Sequence, residues 1–149
     1  MADVIVRMGN PQFTGRGDSR NRNFLPQALE ADAGDTVRFE IAGFHQFAVY
    51  QVAPETSRQD VIDNPDAYVD TTISGNFDER DIGDPTNRVA LGSSPRTTDR
   101  EVVNRNDAMA TDVTINEPGR YLVICAIRSH FLDDDPAANG GMFGFIDVQ

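Results

Sequence analysis

The sequence predicts an all-β sandwich interrupted by one long polar insertion. Short runs of alternating apolar and polar residues, separated by Gly, Pro, Asn and Asp, recur in both halves of the chain. Such a series of strands and turns is typical of two packed sheets. The 149 residues, 39% of them hydrophobic, suit one globular domain with a real core, so we expect a single domain over residues 1–149.

Strands are predicted in chain order from β-branched residues and from alternation. The first is rich in Val and Ile, and polar loop residues follow it over 9–23. Turn residues Ala33-Gly34-Asp35 and Asn116-Glu117-Pro118-Gly119 each introduce a further strand. The predicted strands cover residues 3–8, 36–41, 45–52, 111–115, 120–125 and 142–148.

Residues from about 54 to 109 differ in composition, because Asp, Asn, Pro, Gly, Thr and Arg dominate there. Ser57, followed three positions later by Asp60, predicts the cap of a brief helix that ends before Pro65. A structureless loop of this length is uncommon in a compact domain. We therefore expect an insertion with short helices and hairpins packed on the sandwich, and no second domain.

Charge and cysteine content restrict the function classes. With 24 acidic and 13 basic residues, a net charge of −11 argues against a nucleic-acid partner and favours a cationic partner or a solvated surface. A single cysteine excludes an internal disulfide. The sequence contains no apolar run of about 20 residues, so no membrane span is predicted. Because Met1-Ala2-Asp3 directly precedes a strand, we expect a mature N terminus from which a signal peptide has been removed.

The chain has two histidines and one cysteine, so it offers two imidazoles and one thiolate as metal ligands. His45 starts one predicted strand, Cys125 ends another, and His130 follows five residues later. Two imidazoles, a thiolate and a weak thioether are the donors of an electron-transfer copper site, which suits Cu(I) and Cu(II) alike. Taken singly, each residue also has an ordinary structural role, since a buried cysteine commonly packs as a small hydrophobe.

The segments around these donors resemble those of the cupredoxins, or blue copper proteins, of azurin-like and plastocyanin-like type. The resemblance covers about half of the chain, over residues 24–52 and 111–149. Four segments carry it: Gly34-Asp35-Thr36-Val37, Gly43-Phe44-His45-Gln46-Phe47, Pro118-Gly119-Arg120-Tyr121 running to Cys125, and Gly141-Met142-Phe143-Gly144-Phe145-Ile146-Asp147-Val148.

The resemblance implies a cupredoxin-like Greek-key sandwich with one copper per chain. Carried over by residue, it implies that His45, Cys125 and His130 are equatorial ligands and that Met142 is axial. Eleven residues separate His130 from Met142, which makes this ligand loop longer than the family's pattern. We expect a bulge that leaves Met142 in register with the last strand. The alternatives are a lengthened or absent copper–sulfur contact, or an axial carbonyl near Gly43.

The function implied by the resemblance is the transfer of single electrons between redox proteins, without enzymatic turnover. We expect a cytochrome or oxidoreductase with a basic docking surface as partner, and a periplasmic or otherwise extracytoplasmic location. Electrons are expected to leave through His130, with Phe131 and Leu132 as an apolar docking patch. The alternative for Phe131, as for Phe44, Phe47, Phe143 and Phe145, is packing in the core or at its rim. A copper carrier or buffer, a mononuclear copper site with an open position for small molecules, and a metal-free interaction module remain as alternatives. The acidic residues 133–135 and 78–81 are predicted to be solvated surface, with no calcium bound.

Overall fold

Nine strands and two short helices occur in the part of the chain that the computed structural model describes. The described residues are 4–9, 24–42, 45–69, 88–93, 109–132 and 141–149. The strands are β1 (Val4–Met8), β2 (Phe24–Leu25), β3 (Ala28–Ala31), β4 (Thr36–Ile41), β5 (Gln46–Val52), β6 (Arg88–Ser93), β7 (Met109–Thr114), β8 (Gly119–Cys125) and β9 (Phe143–Val148). The helices are α1 (Arg58–Asp63) and α2 (Arg128–Phe131), and a 3-10 turn spans Pro65–Ala67.

The strands form two mixed sheets, so the predicted all-β sandwich is confirmed. One sheet has the order β2-β1-β4-β7 and the other β3-β9-β8-β5-β6. β1 runs parallel to β4 and β3 runs parallel to β9, whereas the other neighbours are antiparallel. Strands β2, β3 and β6 were not predicted, and β6 lies within the segment predicted to be an insertion. It pairs with β5 at the edge of the five-stranded sheet.

The main core lies between the two sheets. In β4, alternate residues Val37, Phe39 and Ile41 are buried, as the alternation of this strand predicted. The ring of Phe39 stacks on that of Phe47 from the opposite sheet, with centroids 4.0 Å apart and planes within 9°. The burial of such apolar side chains supplies most of the free energy that holds the sheets together.

A second apolar cluster covers the outer face of the five-stranded sheet. Leu122 and Ile124 of β8 pack there with Val61 of α1 and with Val69. Strand β8 is therefore buried on both faces, which explains why its sequence is a continuous apolar run. Segment 53–69 thus covers the sheet that carries the end of β8.

The predicted helix is present, and its cap is the one predicted. The Ser57 hydroxyl accepts a hydrogen bond from the Asp60 backbone N–H at 3.1 Å, and an Asp60 carboxylate oxygen accepts one from the Ser57 N–H at 2.9 Å. This reciprocal pair satisfies two N–H groups that a helix start otherwise leaves without partners. The helix ends at Asp63, two residues before Pro65.

Strand β8 is anchored where it begins. The hydroxyl of Tyr121 donates a hydrogen bond to the Glu117 carbonyl at 2.6 Å, as in the tyrosine corners of other β-sandwiches. Burial, with a smaller contribution from the charge of Glu117, raises the pKa of Tyr121, which keeps its phenol protonated and able to donate. The bond ties the preceding turn to the strand that ends at Cys125.

Several predictions concern residues outside the described ranges. These are the loop over 10–23, most of the segment from 70 to 108, and the acidic residues 78–81 and 133–135. Within the described ranges, no helix is both long and apolar enough to cross a membrane.

Candidate metal centre

The pairing of β5 with β8 brings His45 next to Cys125. The strands are antiparallel, and Phe47 near the start of β5 lies opposite Cys125 at the end of β8. One step further, the Ala126 N–H donates to the Gln46 carbonyl at 2.6 Å. The residue before β5 is therefore held beside the last residue of β8, although 80 positions separate them along the chain.

Helix α2 returns His130 toward the same point. It is a single turn, within which the His130 N–H donates to the Ile127 carbonyl at 2.8 Å. Because the turn begins just after β8, the imidazole of His130 folds back over the end of that strand. Five residues after Cys125 in sequence, His130 lies in contact with the cysteine sulfur.

The three donor atoms form a nearly equilateral triangle. Cys125 Sγ lies 3.7 Å from His45 Nδ1 and 3.8 Å from His130 Nδ1, and the two Nδ1 atoms are 3.2 Å apart. A point equidistant from all three lies about 2.1 Å from each, close to the bond lengths of about 2.0–2.3 Å that soft divalent metals form with imidazole nitrogen and thiolate sulfur. The triangle therefore fits one metal ion bound by all three residues.

Burial differs among these donors. Cys125 is fully buried and His45 is 2% exposed, whereas His130 is only half-buried. The described chain adds no fourth His, Cys, Asp or Glu donor to the group. A closed structural zinc site takes four such ligands, while two imidazoles and one thiolate in trigonal arrangement are typical of electron-transfer copper. The group is thus a possible copper site.

Met142 lies between the segments that carry Cys125 and His130. Its backbone N–H donates to the His130 carbonyl at 3.0 Å, and its carbonyl accepts from the Cys125 N–H at 2.8 Å. The side chain is fully buried and belongs to the same apolar cluster as Cys125. The long loop before it therefore leaves the backbone of Met142 beside Cys125 and His130.

A glycine allows this return of the chain. Gly141 has φ of +133°, which side-chain-bearing residues rarely adopt, and a Cβ at this position would clash with the carbonyl oxygen of Phe131. Phe131 itself is 2% exposed and packs edge to face against Phe143 at 5.7 Å. The expectation that Phe131 forms an exposed docking patch is thus wrong, because α2 turns this ring into the outer cluster. Leu132 is half-buried against that cluster.

Arg58, which the sequence did not single out, binds the strand that carries Met142. Its guanidinium donates to the carbonyls of Phe143 at 2.8 Å and Gly141 at 3.0 Å, and it lies 4.0 Å above the Phe143 ring. Burial lowers the pKa of Arg58, yet a guanidinium remains charged in proteins. Arg58 lies 83 residues before Gly141, so only the packing of α1 on the sheet reveals the contact.

The sequence-predicted residues thus converge on one end of the sandwich. His45, Cys125 and His130 meet through their donor atoms, and Met142 adjoins Cys125 and His130 through its backbone. Gly43 and Phe44 lie outside the described residues, so an axial carbonyl at that position stays a prediction.

Solved structures identify the fold. No protein-family model and no curated protein sequence matches the chain. Among solved structures, the chain is similar over its full length to reduced auracyanin from Roseiflexus castenholzii, with 18% identity, 99% of that chain covered and a TM-score of 0.53. It is also similar to auracyanin A, a "blue" copper protein from Chloroflexus aurantiacus, with 16% identity, full coverage of both chains and a TM-score of 0.51. The chain therefore has the fold of the cupredoxins, the family that its sequence resembles.

Proposed function

We propose that this chain is a type 1 copper protein that carries single electrons. In this proposal His45, Cys125 and His130 bind one copper ion per chain, and Met142 is a weak axial ligand. The observation that carries the proposal is the triangle of donor atoms, whose edges of 3.2, 3.7 and 3.8 Å suit a single ion. Two imidazoles, a thiolate and a distant thioether are the donor set of such sites.

The surroundings of the donors suit electron transfer. When bound, copper would supply a one-electron couple between Cu(I) and Cu(II). Cys125 and His45 are buried in the sandwich, which keeps solvent from these two donors. The backbones of the paired strands hold the two residues in one arrangement. His130 is the only one of the three that is not fully buried, so its imidazole offers the route by which electrons leave.

The same burial favours an electron carrier over a copper carrier. A copper carrier hands its ion to a partner by exchanging ligands one at a time, which requires donors that a second protein can approach. Cys125 and His45 are enclosed by the sandwich, so a partner reaches only the His130 edge.

The proposed partner is a cytochrome or oxidoreductase with a basic docking surface. The net charge of −11 supports this choice, since opposite charge accelerates encounter. We also propose an extracytoplasmic location, because the abundant thiols of the cytosol compete for a soft Cu(I) ion.

Replacement of the proposed thiolate tests the copper site. We expect the wild-type protein to bind one Cu(II) per chain with an intense thiolate-to-copper band in the visible spectrum. Cys125→Ser should lose this band, because an alcohol oxygen does not form the covalent copper–sulfur bond that produces it. Ala126→Ser, which adds the same hydroxyl at the next buried position, is the matched control and should stay coloured. A wild-type protein that is colourless and takes up no stoichiometric copper would refute the proposal.

A second measurement separates the electron carrier from the copper carrier. An electron carrier should show reversible electrochemistry and fast exchange with a cytochrome, and should keep Cu(I) in the presence of a chelating partner. Ready transfer of Cu(I) to that partner, without electron exchange, would identify a copper carrier instead.

A further inference from the structure

Arg58 contacts the backbone on both sides of Met142. One arm of its guanidinium binds the carbonyl of the preceding residue, Gly141, and the other binds the carbonyl of the following residue, Phe143. The planar group also covers the ring of Phe143 at 4.0 Å. Two charge-assisted hydrogen bonds and a cation–π contact therefore converge on a three-residue segment whose centre is Met142.

We propose that Arg58 is a positioning residue for the axial thioether, and that α1 thereby controls how closely Met142 approaches the copper. This inference rests on the proposed function. The long loop before Gly141 leaves the start of β9 without the short connection that would otherwise fix it. Arg58 adds a constraint from a separate element to the two backbone hydrogen bonds that join Met142 to Cys125 and His130.

The contact requires an arginine. Its guanidinium presents parallel donors in a rigid plane, so one side chain spans two carbonyls two residues apart and stacks on the Phe143 ring. A lysine keeps the positive charge, but its three donors radiate from one nitrogen, so it lacks the planar fork that spans both carbonyls and stacks on the ring. A comparison of arginine with lysine at position 58 therefore separates the effect of charge from the effect of geometry.

The position of Arg58 is itself determined by α1. It is the first residue of the helix, directly after the capping serine Ser57, and Val61 anchors the helix in the outer cluster. The guanidinium thus extends from a fixed helix start toward β9.

A second arginine, Arg120 of β8, also contacts β9 and offers a matched control. Arg120 lies 4.0 Å above the ring of Phe145, donates to the Thr56 carbonyl at 2.8 Å and pairs with Asp147 at 2.7 Å. It therefore joins the same segments as Arg58 and stacks on a phenylalanine of β9 in the same way. It makes no described contact with either neighbour of Met142.

The experiment compares Arg58→Met, Arg58→Lys and Arg120→Met, each first checked for folding by circular dichroism and thermal unfolding. In the copper-loaded protein, Arg58→Met and Arg58→Lys should both change the intensity ratio of the two thiolate-to-copper bands, which reports the strength of the axial ligand. Both variants lose the positioning contact, but only Arg58→Met also loses the positive charge, so its reduction potential should lie below that of Arg58→Lys. In the metal-free protein, the Met142 amide should exchange with solvent about tenfold faster or more in both variants, as expected for loss of hydrogen bonds to a charged group.

Four outcomes decide between the inference and its alternatives. Arg120→Met should leave the band ratio and Met142 amide exchange at wild-type values, and in the Met142→Leu protein the further change Arg58→Met should leave the band ratio unchanged. Band ratios and amide exchange in the Arg58 variants that equal those of wild type would overturn the inference while a blue wild type upholds the copper site. A colourless wild type would instead refute the proposed function, and amide exchange in the metal-free protein would still test the Arg58 contact.

Discussion

At the scale of single residues, Met142 combines a side chain that we propose as a weak ligand with a backbone held by two hydrogen bonds. Hydrogen bonds of 2.8 and 3.0 Å join its peptide to Cys125 and His130. A thioether at such a position adds little to copper affinity but tunes the preference between oxidation states. The role of Met142 is therefore best tested by redox and spectral measurements.

We predict that Met142→Leu retains copper and the blue colour but shifts the reduction potential and the band ratio. Leucine nearly preserves the volume and should cost less than about 1.5 kcal/mol of stability, so the fold survives while the sulfur is lost. The measurements are cyclic voltammetry and the visible spectrum of the copper-loaded protein.

Met8→Leu is the matched control for this substitution. Met8 is also fully buried in the inter-sheet cluster but lies on β1, outside the group of donors. It should lose similar stability with no spectral change. Identical spectra and potentials for wild type and Met142→Leu would show that the thioether does not contact the metal.

The donors were predictable as residues because the chain has so few of them. Two histidines and one cysteine, of which His45 and Cys125 lie at strand ends and His130 follows Cys125 by five residues, left few other arrangements around a soft metal. Arg58 was not predictable, since its contacts depend on where α1 packs along β9. For Phe131 the sequence left both a docking patch beside His130 and core or rim packing open. A single helical turn rotates successive side chains to different faces, and this buries the Phe131 ring.

At the scale of elements, the cap of α1 should determine how firmly segment 53–69 covers the sheet. We predict that Ser57→Ala lowers the free energy of unfolding by about 1 kcal/mol, because the Asp60 N–H loses its acceptor at the helix start. Chemical denaturation followed by circular dichroism measures the change. Asp63→Asn, at the opposite end of the helix, is the control and should not destabilise the protein.

The same cap predicts a loss of stability in acid. Hydrogen bonds from the backbone N–H and the hydroxyl of Ser57 hold the pKa of Asp60 below its usual range. Its contribution is therefore fully present above the unfolded-state pKa near 4 and is lost as the pH falls through the lower, folded-state value. Asp60→Asn should flatten this part of the stability curve between pH 5 and pH 2, measured by thermal unfolding. An unchanged acid slope would contradict the assignment.

Strands were predictable where burial produced a period that the sequence displays. β4 alternates between buried and half-buried residues, and its predicted bounds agree with the observed ones. β2, β3 and β6 were missed for a physical reason, since each lies at a sheet edge and depends on pairing with another strand. The Ala-Leu-Glu-Ala sequence of β3 has little β-propensity of its own.

At the scale of the whole molecule, net charge should govern the rate of electron exchange. We predict that the bimolecular rate with a basic cytochrome falls at least about tenfold as ionic strength rises from about 0.01 to 0.5 M, because salt screens the attraction that steers encounter. Stopped-flow mixing of the reduced protein with the oxidised cytochrome measures it.

An uncharged small-molecule oxidant serves as the control partner. Its rate should vary little over the same range of salt, since no net attraction is being screened. A rate with the basic cytochrome that rises with salt would contradict the proposed docking chemistry.

The double cover of the five-stranded sheet has a consequence for how the site meets its ion. Two of the proposed donors border paired strands that are enclosed from both sides, and the third follows within one turn. Packing of the polypeptide therefore fixes the positions of the donors, and a bound ion must adopt the coordination distances that these positions impose. Such preorganisation leaves little rearrangement of the ligands when the ion changes oxidation state, which is the property that makes electron transfer fast.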